Sequence, residues 1–495
     1  MTDPFLFLDC QTTGMRPTNG HLLEVAWGVA GEPAESYLVK LPEGELIPNA
    51  VREITGIRAK DMEGAVDFEL VRGKFQAFLT ARPQLKYALV HYAQFEKPWI
   101  EHLLGSDLPF KFLCTQKMAS RVFPNSPSRS IRGILGYLGK DPRSVKRAAE
   151  HLEATKEVWW ALEAKLEGKS PEELEAWLNE KPGKKAESRI QYRLEKEKRL
   201  SLPEAPGIYR MLSQSGKVLY VGKATSLKDR VNSYFRGKKG RDRKKLEMLA
   251  HVWDIETVEC GSPLEAALLE TDEIKRLDPP YNILLKTKER SLVFYSHDFS
   301  EAFSQQSQPG LLGPFRRGGS VEQVRLLLQG EILHGLFDRL ESQLLGHAME
   351  ELREKFGELK TVRDCLALGM WMLREKAKLL AQAELDAELA SEGEEELEEA
   401  EEETEEREIT LVERLEILFR AAAHEYRQAK AATKLLNLKI SLKCGETWRP
   451  LRFSNGRLQE APASVLPWEG LGLADFDRMM VLKAELAKVE FRLEN

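Results

Sequence analysis

Cysteine is scarce in this sequence. Its five residues, Cys10, Cys114, Cys260, Cys365 and Cys444, are odd in number, far apart and form no CxxC pair, which implies neither a disulfide framework nor a zinc site. Long apolar runs are also missing: no stretch approaches the roughly 20 apolar residues of a membrane span. The first apolar run ends at Asp9 with no basic residue before it, so no signal peptide is expected. No internal repeat stands out. The charged share, 31%, lies above the usual quarter while 42% is hydrophobic, the balance of a globular chain with charge-rich segments. At one domain per roughly 150 residues, the length suggests about three domains.

The net charge of -6 conceals a split. Glu384 to Glu408 holds 15 acidic residues against Arg407 alone, a local charge of -14, so the other 470 residues carry +8. Lys217 to Lys245 holds 11 Lys/Arg against Asp229 and Asp242, a charge of +9 over 29 residues. That sign is expected where a polyanion is handled. The acidic run reads as a solvated helix or linker.

Patterning predicts a multidomain chain. Over 1–166, strands at Phe5 to Leu8, His21 to Ala30 and Glu35 to Leu41 precede helices around Glu69 to Thr80, Phe95 to Leu104, Thr115 to Val122, Ile131 to Leu138 and Val145 to Leu166, an α/β signature. A helical basic linker over 167–202 opens on the capping box Ser170-Pro171-Glu172-Glu173. A small α/β unit spans 203–290. Its strands Gly207 to Leu212 and Lys217 to Val221 form a hairpin, a helix covers Leu227 to Phe235, a basic loop follows, and a strand lies near Asp254 to Glu259. Ser262-Pro263-Leu264-Glu265 starts a helix that Pro279-Pro280 stops. A helical region over 291–383, the acidic segment 384–408 and a C-terminal helical region over 409–495 complete the chain. Within them Val321 to Phe356, Val362 to Leu389, Leu411 to Leu442 and Ala474 to Leu493 read as helices, with a hairpin near Asn455-Gly456. Trp159, Trp160, Trp371 and Trp448 are assigned to cores.

On the helix opened by Ser262, Ala267, Glu270, Ile274 and Leu277 share one stripe, so a carboxylate sits among apolar residues. A carboxylate there must be paired or bound to a cation. If the hairpin turn centres on Gln214-Ser215, Tyr209 and Tyr220 fall opposite each other, and Lys223 and Arg230 follow. Two phenols, two cations and a carboxylate form a credible set for cleaving a phosphodiester: base, phosphate clamp and metal ligand.

Gly207-Ile208-Tyr209 and Tyr220-Val221-Gly222-Lys223-Ala224, followed by Arg230, Tyr234, Leu268-Leu269-Glu270 and Tyr281-Asn282, resemble the GIY-YIG nuclease domain of the UvrC and Cho type, with Val221 replacing isoleucine. The resemblance implies that Glu270 holds one divalent metal, Mg²⁺ or Mn²⁺. It implies that Tyr209 or Tyr220 helps activate water, that Lys223 and Arg230 stabilise the phosphate, that Tyr234 positions it and that Asn282 supports the site. Lys228, Arg236, Lys238, Lys239, Arg241, Arg243 and Lys244 are candidate DNA contacts.

Phe5-Leu6-Phe7-Leu8-Asp9-Cys10-Gln11-Thr12-Thr13-Gly14, Ile54-Thr55-Gly56-Ile57, His91 to Glu96 and Lys146 to Thr155 resemble segments of the DEDDh exonucleases, a family that includes the proofreading subunit of bacterial DNA polymerase III. This implies an RNase H-like exonuclease fold. That family holds two metals with four carboxylates and uses a histidine base. Here Asp9 is retained, while Gln11, Glu96, Lys146 and His151 stand at the other four positions, and Gln11 and Lys146 remove ligand charge where dications should bind. The domain is expected to be inactive and to bind DNA or a partner, or to brace its neighbour.

The whole is therefore expected to be a metal-dependent DNA endonuclease in repair, cytoplasmic and nucleoid-associated, acting on damaged duplex and served by a UvrB-like loading protein through a UVR-like hairpin near Leu415 to Leu442. The alternatives are a non-catalytic DNA-binding scaffold, opposed by the intact Tyr209, Tyr220, Arg230 and Glu270, and a 3′-5′ exonuclease, opposed by Gln11 and Lys146.

Overall fold

Strand β1 (Phe5–Thr12) is buried on both faces, as its unbroken apolar run requires. Phe5 and Phe7 enter one core while Leu6, Leu8 and Cys10 enter another. Period-two alternation places Asp9 on the Phe5/Phe7 face. The structure, a computed structural model, describes residues 5–166, 168–180, 190–236, 242–282, 291–330, 341–390, 409–444, 447–453, 468 and 471–494. Two compact units divide the chain: Met1–Cys260 with Pro279–Ile283, and Gly261–Asp278 with Leu284–Asn495.

In the first unit, β1 is followed by β2 (Leu22–Gly28), β3 (Glu35–Leu38), α1 (Asn49–Thr55), a 3-10 turn (Ala59–Gly64), α2 (Phe68–Thr80), β4 (Tyr87–Val90), α3 (Ala93–Leu104), β5 (Lys111–Cys114), α4 (Thr115–Val122), α5 (Ile131–Tyr137) and α6 (Ala148–Glu163). The sheet order is β3-β2-β1-β4-β5. β1, β4 and β5 pair in parallel, and β2 runs antiparallel to both of its neighbours, β1 and β3. α4, α5 and α6 cover one face; α2 and α3 cover the other. β4 and β5 have no counterpart among the sequence expectations, because a four-residue strand buried on both faces, such as Tyr87–Val90, shows no alternation. α7 (Pro171–Asn179) begins at the expected cap, with Ser170 Oγ accepting from Glu173 N.

After α8 (Lys196–Leu200) come β6 (Gly207–Leu212), β7 (Val218–Ala224), α9 (Leu227–Phe235), α10 (Arg243–His251) and β8 (Asp254–Glu259). They form an antiparallel sheet of order β7-β6-β8 packed on the buried side chains of α9 and α10. α10 replaces part of the expected basic loop: its first turn is basic, but Met248, Leu249 and Ala250 are buried.

The second unit starts with α11 (Pro263–Leu277). It continues through β9 (Leu292–Tyr295), β10 (Ala302–Phe303), β11 (Leu312–Arg316), α12 (Ser320–Leu328), α13 (Glu341–Phe356), α14 (Val362–Ala390), α15 (Leu411–Leu435), β12 (Lys439–Cys444), β13 (Thr447–Arg452), α16 (Leu473–Leu486) and β14 (Phe491–Leu493). The C-terminal region is thus less helical than its composition suggests, because β10-β9-β11 and β13-β12-β14 form two sheets. The helix expected over Val321 to Phe356 ends at Leu328, where Gly330 adopts φ 73°. The segment from Leu415 to Leu442 is one helix followed by a strand. The hairpin lies at β12–β13, and Asn455-Gly456 is outside the described residues. Trp159 is buried, but Trp160 and Trp371 are 46% and 50% exposed, correcting their assignment to cores. Among the described residues no helix is long and apolar enough to cross a membrane.

Candidate active site

The β6–β7 hairpin sets the site. Its turn is closed by Gly216 N donating to Ser213 O, and Ser213 N donates to Lys217 O, with Gly216 at φ 85°. A register shift follows between Met211 and Leu212. The pairing therefore differs by two residues from a turn centred on Gln214-Ser215. Tyr209 faces Gly222 and Tyr220 faces Met211, so the two tyrosines are diagonal rather than directly opposite. Their rings still meet, with centroids 6.1 Å apart.

Gly222 makes this possible, since a Cβ there would run into the Tyr209 hydroxyl and stand 2.9 Å from Tyr220 Cε1. Tyr234 completes the cluster from α9, its ring 6.1 Å from Tyr209 and 6.3 Å from Tyr220. The hydroxyls of Tyr209 and Tyr234 share a hydrogen bond of 2.9 Å. Ser226 caps α9, its Oγ accepting from Asp229 N, and so fixes the helix that carries Arg230 and Tyr234.

Two cations lie over this cluster. Arg230 Cζ is 5.5 Å and Lys245 Nζ 4.4 Å from the Tyr234 centroid. Burial pushes the Tyr209 hydroxyl well above the ordinary tyrosine range; Tyr234 and Tyr220 add to this, and Arg230 opposes it. Burial pulls Arg230 down, but the phenols of Tyr209, Tyr234 and Tyr220 together outweigh it and hold the guanidinium above its ordinary value. Lys245 was not among the expected site residues. Its signal is the spacing to Met248 and Leu249, which puts Lys245 on the buried side of α10.

The remaining expected residues are dispersed. Lys223 is half-buried on β7, opposite Ile208. Asn282 is buried beside β7, its Oδ1 accepting from Val221 N at 3.0 Å and its Nδ2 donating to Val221 O at 2.9 Å. Glu270 is half-buried on α11, in the second unit, where Ala267 and Ile274 of its stripe are buried. Among the described residues no group of three or more His, Cys, Asp or Glu side chains is arranged as a metal cage. Of the candidate DNA contacts, Lys228 pairs with Glu204 at 2.7 Å, and Arg236, Arg243 and Lys244 are exposed. Lys238, Lys239 and Arg241 lie outside the described residues.

The exonuclease-like positions gather elsewhere in the first unit. Asp9 Oδ1 stands 3.8 Å from His151 Nδ1, and Asp9 Oδ2 accepts from Gln11 Nε2 at 3.0 Å. Glu96 Oε2 accepts from Cys10 N at 3.0 Å and from Cys10 Sγ at 2.9 Å. Lys146 is exposed just before α6. Burial raises Glu96 to about 8 against the donors on Cys10. Asp9 is raised well above the carboxylate range by burial and by Glu96, with His151 and Gln11 opposing. Hydrogen-bond donors thus occupy positions around these carboxylates.

Residues 205–283 match the family model described as the UvrC-like GIY-YIG domain. UvrABC system protein C of Psychrobacter sp. (strain PRwf-1) is 40% identical over 137 residues, 26% of this chain and 22% of that protein. The chain therefore spans about a fifth of the length of that curated relative. Among solved structures, the GIY-YIG N-terminal endonuclease domain of UvrC from Thermotoga maritima, bound to magnesium as its catalytic cation, is 32% identical. It covers 18% of this chain and 93% of its own, with a TM-score of 0.16. Exonuclease X in complex with 5′-overhanging duplex DNA is 17% identical, covering 35% of this chain and 99% of its own at a TM-score of 0.27.

Proposed function

We propose that this chain is a metal-dependent DNA endonuclease that hydrolyses a phosphodiester at the GIY-YIG segment. The observation that carries the reading is the cluster of Tyr209, Tyr220 and Tyr234 beneath Arg230, within the matched residues 205–283. A half-buried carboxylate is a hard oxygen donor, and Mg²⁺ is commonly held by one or two carboxylates with retained waters, so Glu270 suits such an ion without a protein cage. The cation, Mg²⁺ or Mn²⁺, would neutralise charge developing on the scissile phosphate.

The chain's own residues supply the rest. Tyr209 is a neutral phenol at neutral pH and orients through its bond to Tyr234. Tyr220, half-buried, is the more accessible of the two, and as the phenolate it would accept a proton from the attacking water. Arg230 and Lys223 balance negative charge on the phosphate, Tyr234 positions it, and Asn282 holds β7 in place. Damaged duplex as substrate, incision in repair and a UvrB-like loading partner extend this reading, supported by the UvrABC system protein C relatives.

The test is the product pattern from an end-labelled duplex carrying one bulky lesion, with Mg²⁺ or Mn²⁺, with and without a UvrB-like loader. A discrete internal cut, lost with Glu270→Ala and kept with Asp9→Ala, is expected. A ladder from the 3′ end lost with Asp9→Ala would place the chemistry in the N-terminal fold. Absence of any product with DNA binding intact would make the protein a scaffold.

A further inference from the structure

We infer that α5 of the exonuclease-like fold is a positioning element for the nuclease site: Arg132 and Ser130 hold Glu247, Glu247 and His251 hold Tyr281, and Tyr281 sets Asn282 against the open edge of β7. The inference rests on the endonuclease reading for its functional consequence, and on geometry for its structural part.

The need arises at β7, an edge strand in the order β7-β6-β8. Edge backbone groups on its outer side lack a strand partner, and Val221 is buried. Two residues supply the missing ladder: Tyr281 N donates to Leu219 O at 3.1 Å, and the Asn282 amide pairs with both N–H and C=O of Val221. Tyr220, and with it the tyrosine cluster, lies on the stretch of strand they hold.

Tyr281 is itself pinned through its hydroxyl. It shares a hydrogen bond with His251 Nδ1 at 3.0 Å and makes a longer contact to Glu247 Oε1 at 3.5 Å, while Arg132 Cζ lies 5.7 Å from its ring centroid. Glu247 is in turn held from the N-terminal fold, with Arg132 Nε 3.2 Å from Oε1 and Ser130 Oγ donating to Oε2 at 2.9 Å.

Contact between the helices is close. Gly136 leaves no room for a Cβ, which would strike the His251 ring, and Trp253 Nε1 donates to Gly136 O at 3.0 Å. A second anchor grips the other end of the hairpin, where Asp141 Oδ1 accepts from Ser213 Oγ at 2.6 Å and from Ser215 Oγ at 2.7 Å. The N-terminal fold therefore holds the hairpin at its turn and, through Glu247 and Tyr281, at its open edge. Such an attachment keeps a purpose for the fold independent of its altered carboxylate site.

The test compares full-length Arg132→Met, Asn282→Ala and the double variant, with Arg132→Lys as the conservative replacement. Amide exchange of Val221 in Arg132→Met should quicken about tenfold while Phe7 and Leu89 keep their protection. In single-turnover cleavage, Arg132→Met should lower the rate about tenfold with KM within about twofold, and Arg132→Lys should recover part of it. The double variant should be no slower than Asn282→Ala alone, because the two residues act in series. Unchanged exchange at Val221, or rate losses that multiply, would overturn the inference. If Arg132→Met loses protection at Phe7 and Leu89, Glu247→Gln, which keeps the side-chain shape, provides the same exchange and cycle comparisons. If the wild type cuts no DNA, the endonuclease reading fails on its own and the exchange result still decides the positioning claim.

Discussion

Replacing Glu96 with glutamine should make the protein more stable at neutral and alkaline pH. Glu96 is 3% exposed, and its folded pKa of about 8 lies above the ordinary value of 4.5. The folded state therefore holds a proton that the unfolded chain releases as pH rises. The contribution of Glu96 to stability is greatest below pH 4.5 and declines through the window up to about pH 8. One pH unit within that window is worth about 1.4 kcal/mol, so the decline by pH 7 is about 2–3 kcal/mol after allowance for coupling to Asp9.

Asp9 titrates in the same direction and steepens the slope. In Glu96→Gln the amide oxygen can still accept from Cys10 N, and the side chain has no charge to bury. The assay is the thermal midpoint from pH 4.5 to 8.5 in the presence of a chelator. The two proteins should melt together near pH 4.5 and separate by about 5 °C or more, in favour of the variant, at pH 8. Parallel curves would refute the account of Glu96 as a carboxyl kept neutral by burial.

Further outcomes follow from the tyrosine site. Gly222→Ala should lower cleavage about a hundredfold or more, because a Cβ displaces the Tyr209 hydroxyl; a rate within twofold of wild type, measured on a protein of unchanged circular dichroism, would contradict this packing. Tyr209→Phe removes the 2.9 Å bond to Tyr234 and should cost about tenfold to a thousandfold in single-turnover rate, with little change in stability. Lys245→Met should weaken DNA binding and reduce the salt slope of log Kd by about 1 if Lys245 meets a phosphate; an unchanged slope would confine it to packing on Tyr234.

The legible parts of the sequence were those whose signal is local. Ser262 and Ser170 each accept from the amide three residues on, and their helices start where their capping boxes place them. β6 follows its expected boundaries because Pro206 and the turn from Ser213 to Gly216 flank it, and β8 ends as expected before Gly261-Ser262. What was hidden depends on tertiary pairing. A turn centred on Ser215 and the bulge beside Met211 together moved the hairpin register by two residues, so Tyr209 and Tyr220 meet diagonally. β4 is short and buried on both faces, β5 is equally short and starts on the exposed Lys111, and α10 was masked by its basic first turn. Lys245 and Tyr281 gain their places from ring contacts and hydrogen bonds distant in sequence. Around Asp9 and Glu96, the donors from Cys10 to Glu96 became visible only in the fold.

The most direct test of the central claim is single-turnover cleavage of a lesion-bearing duplex by the wild type and by Glu270→Ala, with DNA affinity measured on the same samples. The account predicts at least about a thousandfold loss of rate from removing the carboxylate proposed to bind the metal, with affinity retained within about threefold. Cleavage that persists in Glu270→Ala at the wild-type rate would contradict it and move the chemistry away from the GIY-YIG segment.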